Sequence, residues 1–317
     1  MSSTTLFILT SDIKNLFDVK EKILIIQKRE EIRHVDEETL KTLQGDDDVF
    51  ISKWQPYEEY ENVCHLRLPD NSEVSFLVKE AYIETSKREK NMYNNKKLLP
   101  KSERTIFENI KTVFFEKSGR VYLLLFTTYQ TSINKVKQKL LCDEAYIETD
   151  NIGYNIPGDL FYWLFYKYKE KNKFLAERFE VEAISGFLGN IADEHNTIKG
   201  ESEVTPNLLV TKAFVSKFYP IRSLNIILKL DDYSLNFILN DISQCSISTS
   251  SIIPGDVKEI DISSAIIIYS YIIPELLRLF SSDVEWSQEK KKSFTKSIGE
   301  EVIKEIAVFH GIDLKSL

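Results

Sequence analysis

Seven consecutive aromatic and aliphatic residues, Leu160-Phe161-Tyr162-Trp163-Leu164-Phe165-Tyr166, follow Pro157-Gly158-Asp159. The Pro-Gly-Asp start predicts a helix capped by Asp159, and a helix with this composition is apolar nearly all round. It has no face to give to solvent, so other elements must pack on it from more than one side. That demands a layered fold with room to enclose a whole helix. A chain of 317 residues that is 43% apolar and 12% aromatic can build one.

The rest of the chain supplies candidate layers. Apolar or alternating β-favouring runs predict strands at 6–9, 23–26, 64–68 and 74–83. Ser102 as N-cap, with Ile106, Phe107, Ile110, Val113 and Phe114 at helical spacing, predicts a helix ending at Ser118-Gly119. A strand at 121–126, a helix carrying Ile133, Val136, Leu140 and Leu141, and a strand from Ala145 complete an α-β-α-β unit. Further strands are expected at 179–184, 224–230, 234–239 and 245–247, with Asp231-Asp232 as a hairpin turn and a helix over 204–216. Two helices separated near 281–286 close the chain, the first kinked by Pro274. The hexamer Glu80-Ala81-Tyr82-Ile83-Glu84-Thr85 recurs as Glu144-Ala145-Tyr146-Ile147-Glu148-Thr149, so two equivalent strands could result. The expected class is α+β: mixed sheets with packed helices and a helical C-terminal tail. The expected divisions are a β-rich region over 1–97, a central α/β region over 98–177, a second β-rich region over 178–256 and helices over 257–317.

Several functions lose support on composition and motif. Residues 1–10 lack the basic start and cleavage site of a signal peptide, and the greasiest stretch, 265–280, is interrupted by Glu275 and Arg278 and reads as a core helix without membrane insertion. Cys64, Cys142 and Cys245 are far apart and form no C-x-x-C pair, which fits a reducing, cytoplasmic setting. With ten glycines and no phosphate-loop or dinucleotide fingerprint, NTP-driven chemistry is not expected. His34, His65, His195 and His310 lack metal-ligand spacing, and Gly186-Phe187-Leu188-Gly189 lacks the basic centre of a nucleic-acid clamp and reads as a bend. A magnesium-dependent nuclease would need converging carboxylates, and Glu180 with Glu182 is the nearest pair. No catalytic residue, metal or cofactor is assigned.

The net charge of −8 repels polyanions unless positive charge is segregated. It is: Lys87, Arg88, Lys90, Lys96, Lys97, Lys101 and Arg104 face only Glu89 and Glu103, a local +5 that leaves −13 for the remainder. Asn91, Tyr93, Asn94 and Asn95 interleave as hydrogen-bond donors suited to phosphate, so this stretch reads equally as solvated loop or polyanion site. Smaller clusters lie at Lys167, Lys169, Lys171 and Lys173 and at Lys290, Lys291, Lys292 and Lys296.

The order of features over 98–310 resembles the recombination-associated protein RdgC family. The matching pieces begin with Leu99-Pro100-Lys101-Ser102-Glu103, Arg120-Val121-Tyr122-Leu123-Leu124-Leu125 and the 133–141 helix. They continue through Ile152-Gly153, the Leu160–Leu164 block, Thr197-Ile198-Lys199-Gly200 and the hairpin from Leu224 to Leu239. The resemblance implies a homodimer that encircles double-stranded DNA without sequence preference and modulates access of the RecA recombinase. Residues 1–70 depart from the family's usual amino terminus. The expected function is therefore a non-enzymatic DNA-binding protein of recombination or phage defence. Its expected contacts are Lys87, Arg88, Lys90, Lys96, Lys97, Lys101 and Arg104, with Lys199 completing the set. The tail isoleucines, among them Ile266, Ile267, Ile268, Ile272 and Ile273, offer either a dimer surface or core. The alternatives are a protein-interaction subunit of an anti-phage defence complex, whose apolar helices pack on a partner, and the nuclease.

Overall fold

A computed structural model describes residues 1–33, 35–95, 97–149, 154–191, 196–242, 244–255 and 257–314. The chain divides into two compact units, one of Thr4–Arg67 with Ser72–Asn151, the other of Met1–Ser3, Leu68–Asn71 and Ile152–Leu317. Both combine an antiparallel sheet with packed helices, the α+β class expected.

The N-terminal unit runs β1 (Ser2–Ile8, from Thr4 onward in this unit), α1 (Leu16–Asp18), β2 (Gln27–Glu31), α2 (Glu37–Thr42), β3 (Val49–Pro56), β4 (Cys64–Arg67) and β5 (Glu73–Ser86). It continues through the short β6 (Tyr93–Asn94) and β7 (Lys97–Leu98), α3 (Lys101–Arg104), β8 (Thr105–Lys117), β9 (Arg120–Leu125) and α4 (Gln130–Leu140). The sheet order is β1-β9-β8-β5-β3-β2, with β4 also on β5, and each of these pairings within the unit is antiparallel. Leu77, Ala81, Phe114 and Leu123 meet Val136 and Leu140 of α4 in one core, where Trp54 packs edge-on to Phe114 at 5.4 Å.

Three local expectations are overturned here. Residues 23–26 are not a strand: Leu16, Val19 and Ile23 bury one helical face, α1 continuing as a single wide turn over Val19–Ile23. The helix expected from Ser102 is one turn, α3, followed by the long strand β8. Spacings of three and four also arise in a strand buried on both faces, and residues 112–115 are all buried while Ile106 and Phe107 are each 47% exposed. Residues 142–146 form turns and Ile147 makes one bridge to Leu9, so the expected α-β-α-β unit is instead a hairpin, β8-β9, followed by α4.

The C-terminal unit contains α5 (Gly158–Glu170), β10 (Phe174–Ala176), β11 (Phe179–Asn190), β12 (Thr197–Glu201), α6 (Leu209–Ser216), β13 (Ile221–Leu230), β14 (Tyr233–Asn240) and β15 (Gln244–Ile247). The helices α7 (Ile260–Ile267), α8 (Ile273–Ser282) and α9 (Gln288–His310) follow. Its strands run β10-β11-β13-β14-β15, with β12 also on β11, and these pairings are antiparallel. Leu160 to Tyr166 of α5 are all buried, against β11, β13, α8 and α9. Pro157 rather than Asp159 occupies the cap position of α5; the Asp159 carboxylate, in the first turn, is taken by Lys291.

Helices α7 and α8 are joined by a wide turn over Ile268–Ile272, so 260–282 is one helix with Pro274 just beyond the wide segment. Proline removes an N–H and its ring crowds the preceding turn, which the wider turn relieves. This helix is long and apolar enough to cross a membrane, yet most of it is buried inside the unit. Ile266, Ile267, Ile268, Ile272 and Ile273 are all 0% exposed, so they are core and offer no dimer surface. Gly186 and Gly189 lie within β11, where the register shifts beside each of them. A Cβ on Gly189 would stand 2.2 Å from the Phe214 ring, so that glycine serves close packing.

Candidate nucleic-acid interface

Ser86 pairs with Thr105 at the end of the β5–β8 ladder, so residues 87–104 form one connection closed at its foot by the Lys87 N–H donating to Arg104 O at 3.0 Å. Connections longer than about 12–15 residues are uncommon unless functional. This one is tied down. Met92, 0% exposed, packs with Ile32 and Phe50, and Tyr93 and Leu98 close over them. The Leu99 N–H donates to Met92 O at 2.8 Å, and Asn95 turns the β6–β7 hairpin at φ 47°.

Arg104 is the deepest anchor, at 1% exposure. Its Nε donates to Leu99 O at 2.9 Å and its Nη2 to Asp47 O, while burial lowers the guanidinium pKa from its ordinary value. Lys101 reaches Glu84 at 2.7 Å and Asp46 O at 3.1 Å. These two cations hold the connection in place and are spent on the protein's own oxygens. Lys87 is half-buried, its ammonium donating to Glu103 O.

Arg88, Lys90 and Lys97 are exposed, with no carboxylate within ion-pair distance among the described residues. Lys96 lies outside the described residues, as do His34 and His195. Arg33, two residues beyond β2 and adjacent to the buried Ile32, joins the exposed set. Sequence reasoning missed it, although the alternation of Arg29, Glu31 and Arg33 against Lys28, Glu30 and Ile32 is the signal that would have found it. Lys199 belongs to the C-terminal unit, paired with Glu201 at 2.8 Å.

The other basic clusters hold helices together. Lys167 pairs with Asp283 at 2.8 Å, Lys169 with Glu301 at 2.8 Å, Lys171 with Glu285 at 2.7 Å and Lys290 with Glu170 at 2.8 Å. Lys291 binds Asp159, and Lys296 stands 3.9 Å from Glu300. Burial alone would raise the Asp283 carboxyl, but bonds from Lys167 and Trp163 outweigh it and hold the carboxyl below its ordinary range. Lys173 donates to the backbone O of Glu182 at 2.9 Å, and neither it nor the exposed Lys292 has a carboxylate partner among the described residues. Glu182 also accepts from Ser234 at 3.3 Å, and no group of three or more potential metal ligands converges among the described residues.

A cavity of about 430 Å³ opens at the foot of the basic connection, lined by Arg33, Lys87 and Arg88 together with Glu30, Glu31, Glu89 and Lys139. The arrangement offers exposed cations on an anchored loop and a mixed-charge recess beside them. In comparisons with known proteins, the chain matches no family model and no curated protein at a significant level.

Proposed function

We propose that this chain is a non-enzymatic protein that binds double-stranded DNA without sequence preference, through Arg33, Arg88, Lys90 and Lys97 with Lys87 beside them. One observation carries the reading: of the three basic clusters in this acidic chain, the other two are largely spent on internal carboxylates, whereas this one keeps exposed cations on a loop held by its own buried anchors. Cations so presented can displace counterions from phosphate without first breaking an internal ion pair. The sequence resemblance to RdgC-like proteins points the same way, toward a cytoplasmic homodimer in recombination or phage defence.

The test is a titration of labelled duplexes of unrelated sequence at several salt concentrations. The expected result is similar affinity for each duplex, falling linearly in the logarithm of salt by roughly 0.9 per neutralised phosphate. No binding at low salt, or cleavage of the DNA when magnesium is added, overturns the reading. A second reading, a protein contact with another copy or a defence-complex partner, draws on the end of α9, where Val308 and Phe309 are each 83% exposed and Ile303 is 56% exposed. Its measurement is molar mass in solution, alone and with candidate partners.

A further inference from the structure

We propose that the cavity at the foot of the basic connection receives one unpaired nucleotide, its phosphodiester on Arg33 and Arg88 and the amino-bearing edge of its base on the carboxylates. The inference rests on the DNA-binding reading and adds a preference for DNA with an unpaired end.

Size and charge select the ligand. The volume, about 430 Å³, lies within the range of roughly 300–1,000 Å³ typical of small-ligand sites. Four cations, Arg33, Lys87, Arg88 and Lys139, stand against Glu30, Glu31 and Glu89, a net lining charge of +1. One phosphodiester carries one negative charge and balances it. A triphosphate would set several charges against the three carboxylates of the recess.

Occupancy narrows the roles. Lys139 is held by Glu30 at 2.5 Å and by Glu84 O at 3.1 Å, and Lys87 donates to Glu103 O. Arg33 and Arg88, and Glu31 and Glu89, have no ion-pair partner among the described residues. A ligand that engages both sets offers an anion and hydrogen-bond donors together. Ionised carboxylates only accept, and the exocyclic amino groups of cytosine, adenine and guanine donate. In a duplex the Watson–Crick donors are engaged with the opposite strand, so an unpaired base presents the fuller donor edge.

The experiment compares a blunt duplex, the same duplex with a short single-stranded overhang, and a free deoxycytidine monophosphate, each titrated against the full chain. The overhang is expected to bind about fivefold tighter or more than the blunt end, the worth of one good carboxylate–base contact. Glu31→Gln with Glu89→Gln is expected to abolish that preference while blunt-duplex binding is kept or strengthened, circular dichroism confirming the fold. Binding of the free nucleotide would show that the recess suffices; overhang-only preference would show that the adjoining duplex is needed, and both uphold the site. Equal affinity for blunt and overhang duplexes, or a preference that survives the double substitution, overturns it while leaving duplex binding intact. If only overhang binds, the recess stands and the duplex reading falls; if nothing binds, both fall.

Discussion

Glu84 is 5% exposed near the end of β5, and its carboxylate accepts from Tyr82 Oη at 2.6 Å, from the Ile51 N–H at 2.9 Å and from Lys101 at 2.7 Å. Burial alone would push this carboxyl up, but the bonds from Lys101, Tyr82 and Ile51 together outweigh it and hold it below its ordinary range. A carboxyl whose folded pKa is depressed contributes stability above its unfolded value, near about 4.3, and loses that contribution as pH falls through the folded value. Glu84→Gln is therefore expected to destabilise the N-terminal unit by about 2–4 kcal/mol at about pH 7, since it leaves Lys101 unmatched in a confined site. The gap to the parent should narrow below about pH 4 as the parent carboxyl takes up its proton. Urea unfolding at both pH values checks this, and equal midpoints near neutrality would dismiss the anchor. Residue type alone did not mark Arg104 as an anchor rather than a contact. A cation's role depends on whether backbone carbonyls surround it, and Asp47, whose carbonyl it meets, is 57 positions away.

At the scale of elements, the repeated hexamer separates local preference from context. In β5 its Ala81 and Ile83 are 0% exposed, and β5 is paired with β3 on one side and β8 on the other. The second copy follows α4 after Cys142 and Asp143 at φ 50° and 54°, begins with Glu144 at φ 73°, leaves Ala145 exposed and makes one bridge, from Ile147 to Leu9 just past β1. Identical residues thus take extended ladder geometry or a turn according to which strands stand beside them. Ala81→Lys should cost about 3 kcal/mol or more, because an unpaired ammonium enters the sheet, whereas Ala145→Lys should stay within about 0.5 kcal/mol. Thermal melts of the two variants decide it; equal losses would contradict the placement. Elements with self-contained signals were legible: the alternation in β13 and β14 about the Asp231-Asp232 turn, and the break near 281–286 between the tail helices, after which the Ser287 side chain accepts from the Lys290 N–H at 3.1 Å to cap α9. The spacing in β8 was not, because a strand covered on both faces has lost the period that identifies it.

For the whole molecule, the chain's charge distribution makes a contrast that can be measured. Replacing Arg88, Lys90 and Lys97 with Gln should leave stability within about 0.5 kcal/mol and lower the salt slope of DNA binding by up to roughly 0.9 for each phosphate that is no longer neutralised. Replacing Lys169 and Lys291 with Gln should leave that slope unchanged and lower stability by about 1 kcal/mol each, since both hold half-buried carboxylates. The reverse pattern would move the polyanion site to the C-terminal unit. By itself the sequence determined the α+β class, the enclosure of the Leu160–Tyr166 helix, most of the strands and the local excess of positive charge. These follow from composition and from periodicities a few residues long. Only the tertiary structure decided which cations remain available. An ion pair depends on distance through space, and the partner of Lys169 is Glu301, 132 positions away.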